Sequence, residues 1–543
     1  MRVRTSSLLS IRAAMCLTAP LLVGIGTGHV HQATLFALGA LWAVSQDGLD
    51  AWPVRSRRLL GLALSLLVGF GIGAVLGLWD VGAGARIAAL GLAGVASGYI
   101  QSSGLTAIGA YGLLGIIVGS GIATPGTAWW IPVATSLGAL WVWAVATAMD
   151  RGSRHRVLRQ CIADALDAID RGIASIGRDD MFAVRWSALQ AVDVAQDAVG
   201  ARSPRRNVAE GVAIRQCMII TLHCGELVSY LAASANPPGR IPGLTELADA
   251  LRSGTAKKAI DDFGRRTATQ SSAAYPEPVM GALEIPSVER AGAWSPQPIA
   301  RFRPPPLERL RFGILLGGSV AGATAVAIAT RGPHGFWLPM SVAFILRPDL
   351  GPVIRRAAAR TVGTLIGVGI AGVVALAGNP PGALIVLSCA MAALMPAATR
   401  RGHGYAVMTF TPIVFVFIAM LGNDRGLFGV RVLDTVIAAL LVLVVDFVAW
   451  TTSPSLRPGA QIARAEAAVS AYLEFRPDAS VVDRSLARRA AFRSIGAAAA
   501  AQAMAEREPA ILLRDNPGVH GRADELLDQV DRHTAELVEA SSG

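Results

Sequence analysis

The chain is short of charge. Only 16% of its 543 residues are Asp, Glu, Lys or Arg, whereas a soluble globular chain carries charge at about a quarter of its positions. Lysine is almost missing, and the basic residues behind the formal net charge of +11 are nearly all arginine. They stand at the ends of apolar runs rather than on one aromatic-studded surface, which argues against nucleic acid as a partner. Cysteine is scarce: of five, Cys16 and Cys389 lie in apolar runs and Cys161, Cys217 and Cys224 in a polar middle. No close CxxC pair offers a zinc or redox motif, so reduced thiols are expected. His29, His31, His334 and His403 flank apolar segments without ligand spacing, so no metal is expected. There is no P-loop, and "GIGTG" at residues 24–28 lies inside an apolar run rather than at a strand-to-helix turn. Neither an enzyme nor a bound cofactor is expected.

What is present is apolarity: 53% of residues are hydrophobic and the mean hydropathy is +0.48. A spanning helix needs roughly 20 mainly apolar residues, and the chain holds many such runs. Six segments fit the first 150 residues: Ile11–Gly28, Val30–Ser45, Leu59–Leu78, Ala85–Ile100, Gly104–Ile122 and Thr127–Met149. A second six follow: Phe312–Thr330, Phe336–Leu346, Ala357–Leu376, Gly382–Ala398, Tyr405–Leu421 and Leu427–Trp450. The basic start and apolar run of the N-terminus raise a signal peptide, but Arg12 interrupts the place where its apolar core would begin, so a retained first helix is expected.

The fold class is therefore all-α, a polytopic membrane protein with two six-helix transmembrane repeats, a cytoplasmic helical domain and a C-terminal helical tail. The expected boundaries are 1–150 for the first half, 151–310 for the helical region and its linker, 311–452 for the second half and 453–543 for the tail. Within 151–310, helical patterning reaches about Tyr230, and "NPPGR", "YPEPVM" and "FRPPPLERLR" read as an irregular tether. With both termini in the cytoplasm, Arg2, Arg4, Arg55, Arg57, Arg58, the 151–159 and 355–360 clusters, Arg400 and Arg401 all fall inside. Only Arg86, Arg331, Arg425 and Arg431 fall on the other face, as the positive-inside rule requires.

The halves echo each other. Asp47 is followed 11 positions later by Arg58 and 14 later by Gly61; Asp349 is followed at the same spacings by Arg360 and Gly363. Arg12 and Arg311 stand at the mouths of the two first helices. An even number of spans makes such copies parallel. In each, the second element is short: His31 to Ser45, and Gly335 to Leu346, the latter bracketed by Pro333 and Pro348 and broken by Pro339. Paired short or proline-interrupted segments point to a transporter's binding site.

Beside the second of these lies a knot of charge: Arg347, Asp349, Arg355, Arg356 and Arg360. Arg356, Arg360, Gly363 and Gly367 are spaced 4, 3 and 4 apart and share one helical face, two guanidiniums followed by a GxxxG step for close helix packing. Guanidiniums at the mouth of a short-helix cavity would hold a carboxylate bidentately; they would equally hold the loop inside, with Asp349 pairing one of them. On the last helix Arg431 and Asp434 stand at i, i+3, where they neutralise each other, and Asp446 lies near the opposite end. Asp434 and Asp446 are the candidates for proton coupling.

The stretch from Arg311 to about Trp450 resembles the fusaric acid resistance-like family of membrane transporters, which includes bacterial aromatic acid exporters. The likeness rests on the aromatics Phe336 and Trp337, on "ILRPDLGPVIRRAAARTVGTLIG", and on "GYAVMTFTPIVFVF". The first half is looser: "SQDGLDAWPVRSRRLLG" keeps the Asp and Arg spacing without the Gly-Thr pair. The resemblance implies an inner-membrane exporter of aromatic or other organic acid anions, with Arg356, Arg360, Trp337, Arg347 and Arg58 as substrate-binding candidates. It further implies a homo-oligomer such as a dimer, and a periplasmic adaptor that continues the route. A passive anion channel and a non-transporting envelope scaffold are the alternatives.

Overall fold

The computed structural model describes residues 2–48, 52–79, 82–150, 154–177, 181–202, 209–233, 241, 243–267, 277–293, 306–330, 335–347, 353–422, 427–450, 458–476, 479, 481–505 and 521–540. Among these residues every regular element is helical. Two compact units result. One comprises Met1–Gly48, Val54–Met149 and Arg301–Ser453; the other comprises Leu49–Pro53, Asp150–Ala300 and Pro454–Gly543.

The first unit begins with α1 (Arg2–Thr27), α2 (Val30–Gln46), α3 (Trp52–Leu78), α4 (Ala83–Ser102), α5 (Thr106–Ile122) and α6 (Trp130–Asp150). In chain order the second unit intervenes with α7 (Arg154–Ala174), α8 (Met181–Arg202), α9 (Ala209–Ala233), α10 (Leu244–Ser253), α11 (Ala256–Thr267), α12 (Glu277–Leu283) and α13 (Val288–Ala293). The first unit resumes with α14 (Pro306–Thr330), α15 (Trp337–Ile345), α16 (Val353–Leu376), α17 (Pro381–Arg401), α18 (His403–Met420) and α19 (Leu427–Trp450). The chain closes with α20 (Pro458–Leu473), α21 (Val481–Ala505) and α22 (Arg522–Ala540).

Each of the twelve apolar segments is one helix of the first unit. Its outer faces carry exposed Leu64, Val68, Leu92, Val373, Val386 and Val444, an arrangement that water penalises and lipid does not. Polar side chains turn inward and tie helices together. The Ser136 hydroxyl donates to the Ala63 carbonyl at 3.0 Å, Trp143 Nε1 to the Ser56 hydroxyl at 2.7 Å, and the Ser65 hydroxyl to the Ile108 carbonyl at 2.6 Å. Helix α1 packs on α17 and α14 on α4, while α2 packs on α18 and α15 on α5. Of the short elements, α2 has 17 residues and α15 only 9, all of them buried. At about 1.5 Å per residue α15 covers less than half of the roughly 30 Å hydrocarbon core.

In the second unit α9 is the central rod, in contact with α7, α8, α11, α12, α13 and α22. Ala209–Leu231 is long and apolar enough to cross a membrane, yet 89% of it is buried inside the protein. A helix apolar on all sides is buried, and here other helices supply the cover. Burial also pushes the Cys217 and Cys224 thiols up to about 12. The sequence reading of an irregular tether beyond Tyr230 needs correction: α10 to α13 lie within it. Leu244, Leu247, Ala248 and Leu251 of α10, then Ala256, Ala259, Ile260 and Phe263 of α11, form apolar stripes at helical spacing that join the α7 and α9 core.

Glu210 fastens α11 to this rod. It accepts the backbone N–H groups of Ala256 at 2.9 Å and Lys257 at 3.2 Å, and Arg159 at 2.8 Å. Burial pushes its carboxyl up, but these three donors outweigh it and hold it below the ordinary 4.5. The stabilisation is complete above that value and is lost as pH falls through the lower, folded-state pKa. Glu210→Ala leaves the first N–H groups of α11 unserved and is expected to cost about 1–3 kcal/mol, read as a lower melting temperature at neutral pH. At pH near 3 the gap between variant and parent should narrow.

Candidate functional site

Arg347, Arg356, Arg360 and Arg431 surround α15. Trp337, Ser341 and Phe344 stand at i, i+4 and i+7 and share one face of this short helix. At one end the Arg431 guanidinium lies 5.3 Å from the Trp337 ring centre and donates to the Ser341 hydroxyl at 3.4 Å. At the other end Arg360 sits 4.7 Å and Arg347 5.9 Å from the Phe344 ring centre, and Arg356 donates to the Ile345 carbonyl at 3.2 Å. Arginine is suited to such stacking, since the guanidinium plane lies flat on a ring and leaves its N–H edge free. Phe410 packs on Phe344 at 6.0 Å and Phe415 on Trp337 at 6.3 Å, completing an aromatic wall.

Arg360 and Arg431 are each only 4% exposed. Among the described residues neither has a carboxylate within ion-pair distance of 4 Å. Arg360 also lies within electrostatic reach of Arg431 and Arg347, all of one sign. His403, the first residue of α18, feels Arg360, Arg347 and Arg356. Several buried polar atoms here have no hydrogen-bond partner: Arg360 Nε, Arg347 Nε, Thr364 Oγ1 and His403 Nε2. Thr364 follows Arg360 by one helical turn and shares its face. A buried charge without a partner costs several kcal/mol, and unmet donors add to that. Such a cluster is suited to an anion that enters and leaves.

The equivalent corner of the first half is built differently. Asp47 takes Arg12 at 2.5 Å and Arg55 at 3.5 Å, and all three are buried. Arg55 also donates to the carbonyls of Gly48 at 3.2 Å and Ala146 at 3.3 Å, so charge there is largely compensated by structure. Arg58 is half-buried at the start of α3. Near the end of α2, Tyr111 OH meets the Ser45 hydroxyl at 2.7 Å and the Gln46 amide at 3.0 Å.

Gly363 and Gly367 face α18. A Cβ on Gly363 would lie 2.4 Å from the Gly404 carbonyl oxygen, and one on Gly367 2.7 Å from Thr411 Cβ. This close contact sets α16 beside α18 and with it the spacing of Arg360 and His403. Asp434 is half-buried on α19 and acts on Arg431 electrostatically, but the two form no ion pair within 4 Å. Asp434 thus offsets Arg431 through space rather than through an ion pair, while the guanidinium itself turns to α15. The side chain of Asp446, and Asp349, Pro333, Pro348 and His334, lie outside the described residues. Phe344, Ser341 and the role of Arg431 escaped the sequence reading. Arg431 carried a signal in its charge within an apolar run, but only the fold brings it to Trp337.

With this geometry in place, the second half can be set beside known proteins. Residues 320–445 match the fusaric acid resistance protein-like family. That segment includes α15, Arg347, Arg356, Arg360, His403 and Arg431, so the fusaric acid resistance protein-like region holds the described cluster almost entire. An uncharacterized protein of Synechocystis sp. is 29% identical over 155 residues, 28% of this chain and 20% of that protein. The chain thus matches about a fifth of that relative's length. No solved structure matches the chain. The protein is a multi-pass helical membrane protein: ten of its described helices have the length and apolarity to span, α9 of the second unit among them.

Proposed function

We propose that the protein is a secondary exporter that moves aromatic or other organic acid anions across the cell's inner membrane, driven by the proton gradient. One observation carries the reading: two buried guanidiniums, Arg360 and Arg431, stack on the aromatic face of a nine-residue helix, and among the described residues neither has a carboxylate within 4 Å. The anionic group of a substrate supplies the missing charge, and its ring replaces the Phe344–Phe410 or Trp337–Phe415 contact. Because the guanidiniums mark opposite ends of the Trp337–Ser341–Phe344 face, they form two stations for one carboxylate. Arg356 and Arg347 draw the anion to the first station, and Arg58 serves the weaker, charge-compensated first half.

Reciprocal packing, α1 on α17 with α14 on α4 and α2 on α18 with α15 on α5, supports two parallel six-helix copies related by a pseudo-twofold axis. The arginine distribution supports cytoplasmic termini and a cytoplasmic second unit. Phe415 and Phe428, stacked at 4.6 Å, border a cavity of only about 20 Å³, room for one water. Export therefore requires this aromatic end to open. Assembly as a dimer and handover to a periplasmic adaptor complete the proposed route.

The test is competition. Uptake of labelled benzoate into inside-out vesicles should be suppressed by unlabelled naphthalene-2-carboxylate and not by benzamide, which has the ring without the charge; equal suppression by both would sink the anion reading. Asp434, beside Arg431 and half-buried, is the proposed proton carrier. Asp434→Asn is expected to leave exchange of labelled for unlabelled benzoate within about twofold while reducing gradient-driven accumulation about tenfold or more. Retained accumulation would move the proton to another group.

A further inference from the structure

We infer that the second unit carries its own binding site for a small aromatic monocarboxylate, in a cavity between α8, α9 and α21. The cavity measures about 400 Å³ and is walled by Trp186, Leu189, Leu222 and Phe492, within the size range of small-molecule pockets. It is built rather than accidental. Gly496 makes room for the indole, since a Cβ there would lie 2.0 Å from Trp186 Cζ2, and the ring is thereby laid along α21.

Two buried donors face this space. Gln196 is 2% exposed and Arg488 6%, both border the cavity, and Gln196 Nε2 and Arg488 Nε have no hydrogen-bond partner. Arg488 is held in place by donating Nη2 to the Gly225 carbonyl at 2.7 Å and by lying 5.3 Å from the Phe492 ring centre. The other cations at the rim are matched: Arg489 and Arg493 pair with Asp193 and Asp197. Among the described residues Arg488 has no carboxylate within ion-pair distance, so the cavity has one positive charge to spare. One carboxylate satisfies Arg488 Nε and Gln196 Nε2 together, while an aromatic body lies between Trp186 and Phe492. A neutral ring leaves both donors unmet, and a dianion meets only one free charge.

This site shares no residue with the cluster around α15, and the inference stands whether or not the first unit transports the same acid. A ligand there fits a sensing role, with occupancy reporting the acid's concentration to the helices around α9.

The experiment is calorimetric titration of the purified full chain in detergent with naphthalene-2-carboxylate, on an Arg360→Ala background that silences the proposed membrane site. One site is expected, with naphthalene-2-carboxamide binding at least tenfold more weakly. Arg488→Gln should weaken carboxylate binding about tenfold or more, and Leu189→Trp, which fills the cavity from a half-buried position, should abolish it with the melting temperature kept. No carboxylate binding, equal binding of the amide, or undiminished binding by folded Leu189→Trp would each overturn the inference.

Discussion

Replacing Arg360 by Met is expected to cut benzoate uptake at least tenfold and, in the same purified protein, to raise the melting temperature. The two effects have one cause. Loss of a charge-assisted hydrogen bond to the substrate removes about 1.5–3 kcal/mol, or roughly one to two orders of magnitude in affinity. In the unliganded protein, however, Arg360 is a buried cation with no ion-pair partner among the described residues, and its desolvation opposes folding. An apolar side chain of similar length relieves that cost, by about 1–4 kcal/mol where buried ions have been replaced by well-packed apolar groups. A merely structural arginine behaves in the opposite way, losing stability when removed. Arg360→Lys keeps the charge but not the planar fork on Phe344, so it should restore only part of the uptake. Uptake by vesicles and a thermal melt, run on matched preparations, check both halves of the expectation.

The first half predicts the reverse. Asp47→Asn leaves Arg12 and Arg55 buried against each other without their shared carboxylate. Breaking a buried ion pair by removing one partner costs about 3–5 kcal/mol, a large part of the 5–15 kcal/mol that holds a typical domain folded. The variant should accumulate poorly in the membrane and melt well below the parent, with little change in substrate selectivity among the molecules that do fold. A variant that melts as the parent does would show that the Arg12–Asp47–Arg55 cluster contributes little to stability. Sequence spacing aligns Asp47 with Asp349 and Arg58 with Arg360, yet among the described residues the first half pairs Arg12 and Arg55 with a carboxylate while the second stacks Arg360 on a ring.

Much of the helical layout is readable in the residues because it is written locally. Twelve apolar runs give twelve helices, and the proline-bracketed run around Trp337 gives a helix of 9 residues, since length and hydropathy need no knowledge of distant chain. The stripes of α10 and α11 are equally local, although the neighbouring "NPPGR" and "YPEPVM" by themselves suggest an irregular linker. Ion pairing is a different matter. Arg431 and Asp434 share a helical face, so sequence joins them, while the fold offers Arg431 a ring and a hydroxyl 90 residues away at Ser341. Arg12 lies on α1 and Asp47 caps the end of α2, and only packing of α1 on α2 brings them together. Gly363 and Gly367 announced a close helix approach; that α18 would be the partner depended on how six helices close around one another.

Proton-driven export is decided by accumulation of labelled benzoate in inside-out vesicles carrying the protein, with the interior made acidic and then with the proton gradient collapsed. Passive exchange of a weak acid excludes it from an acidic interior, so accumulation there cannot come from leakage. Accumulation above the outside concentration is expected, disappearing when the gradient is collapsed and lost in Arg360→Met. Uptake that ignores the gradient, or that survives the loss of Arg360, would rule out proton-driven export through this cluster.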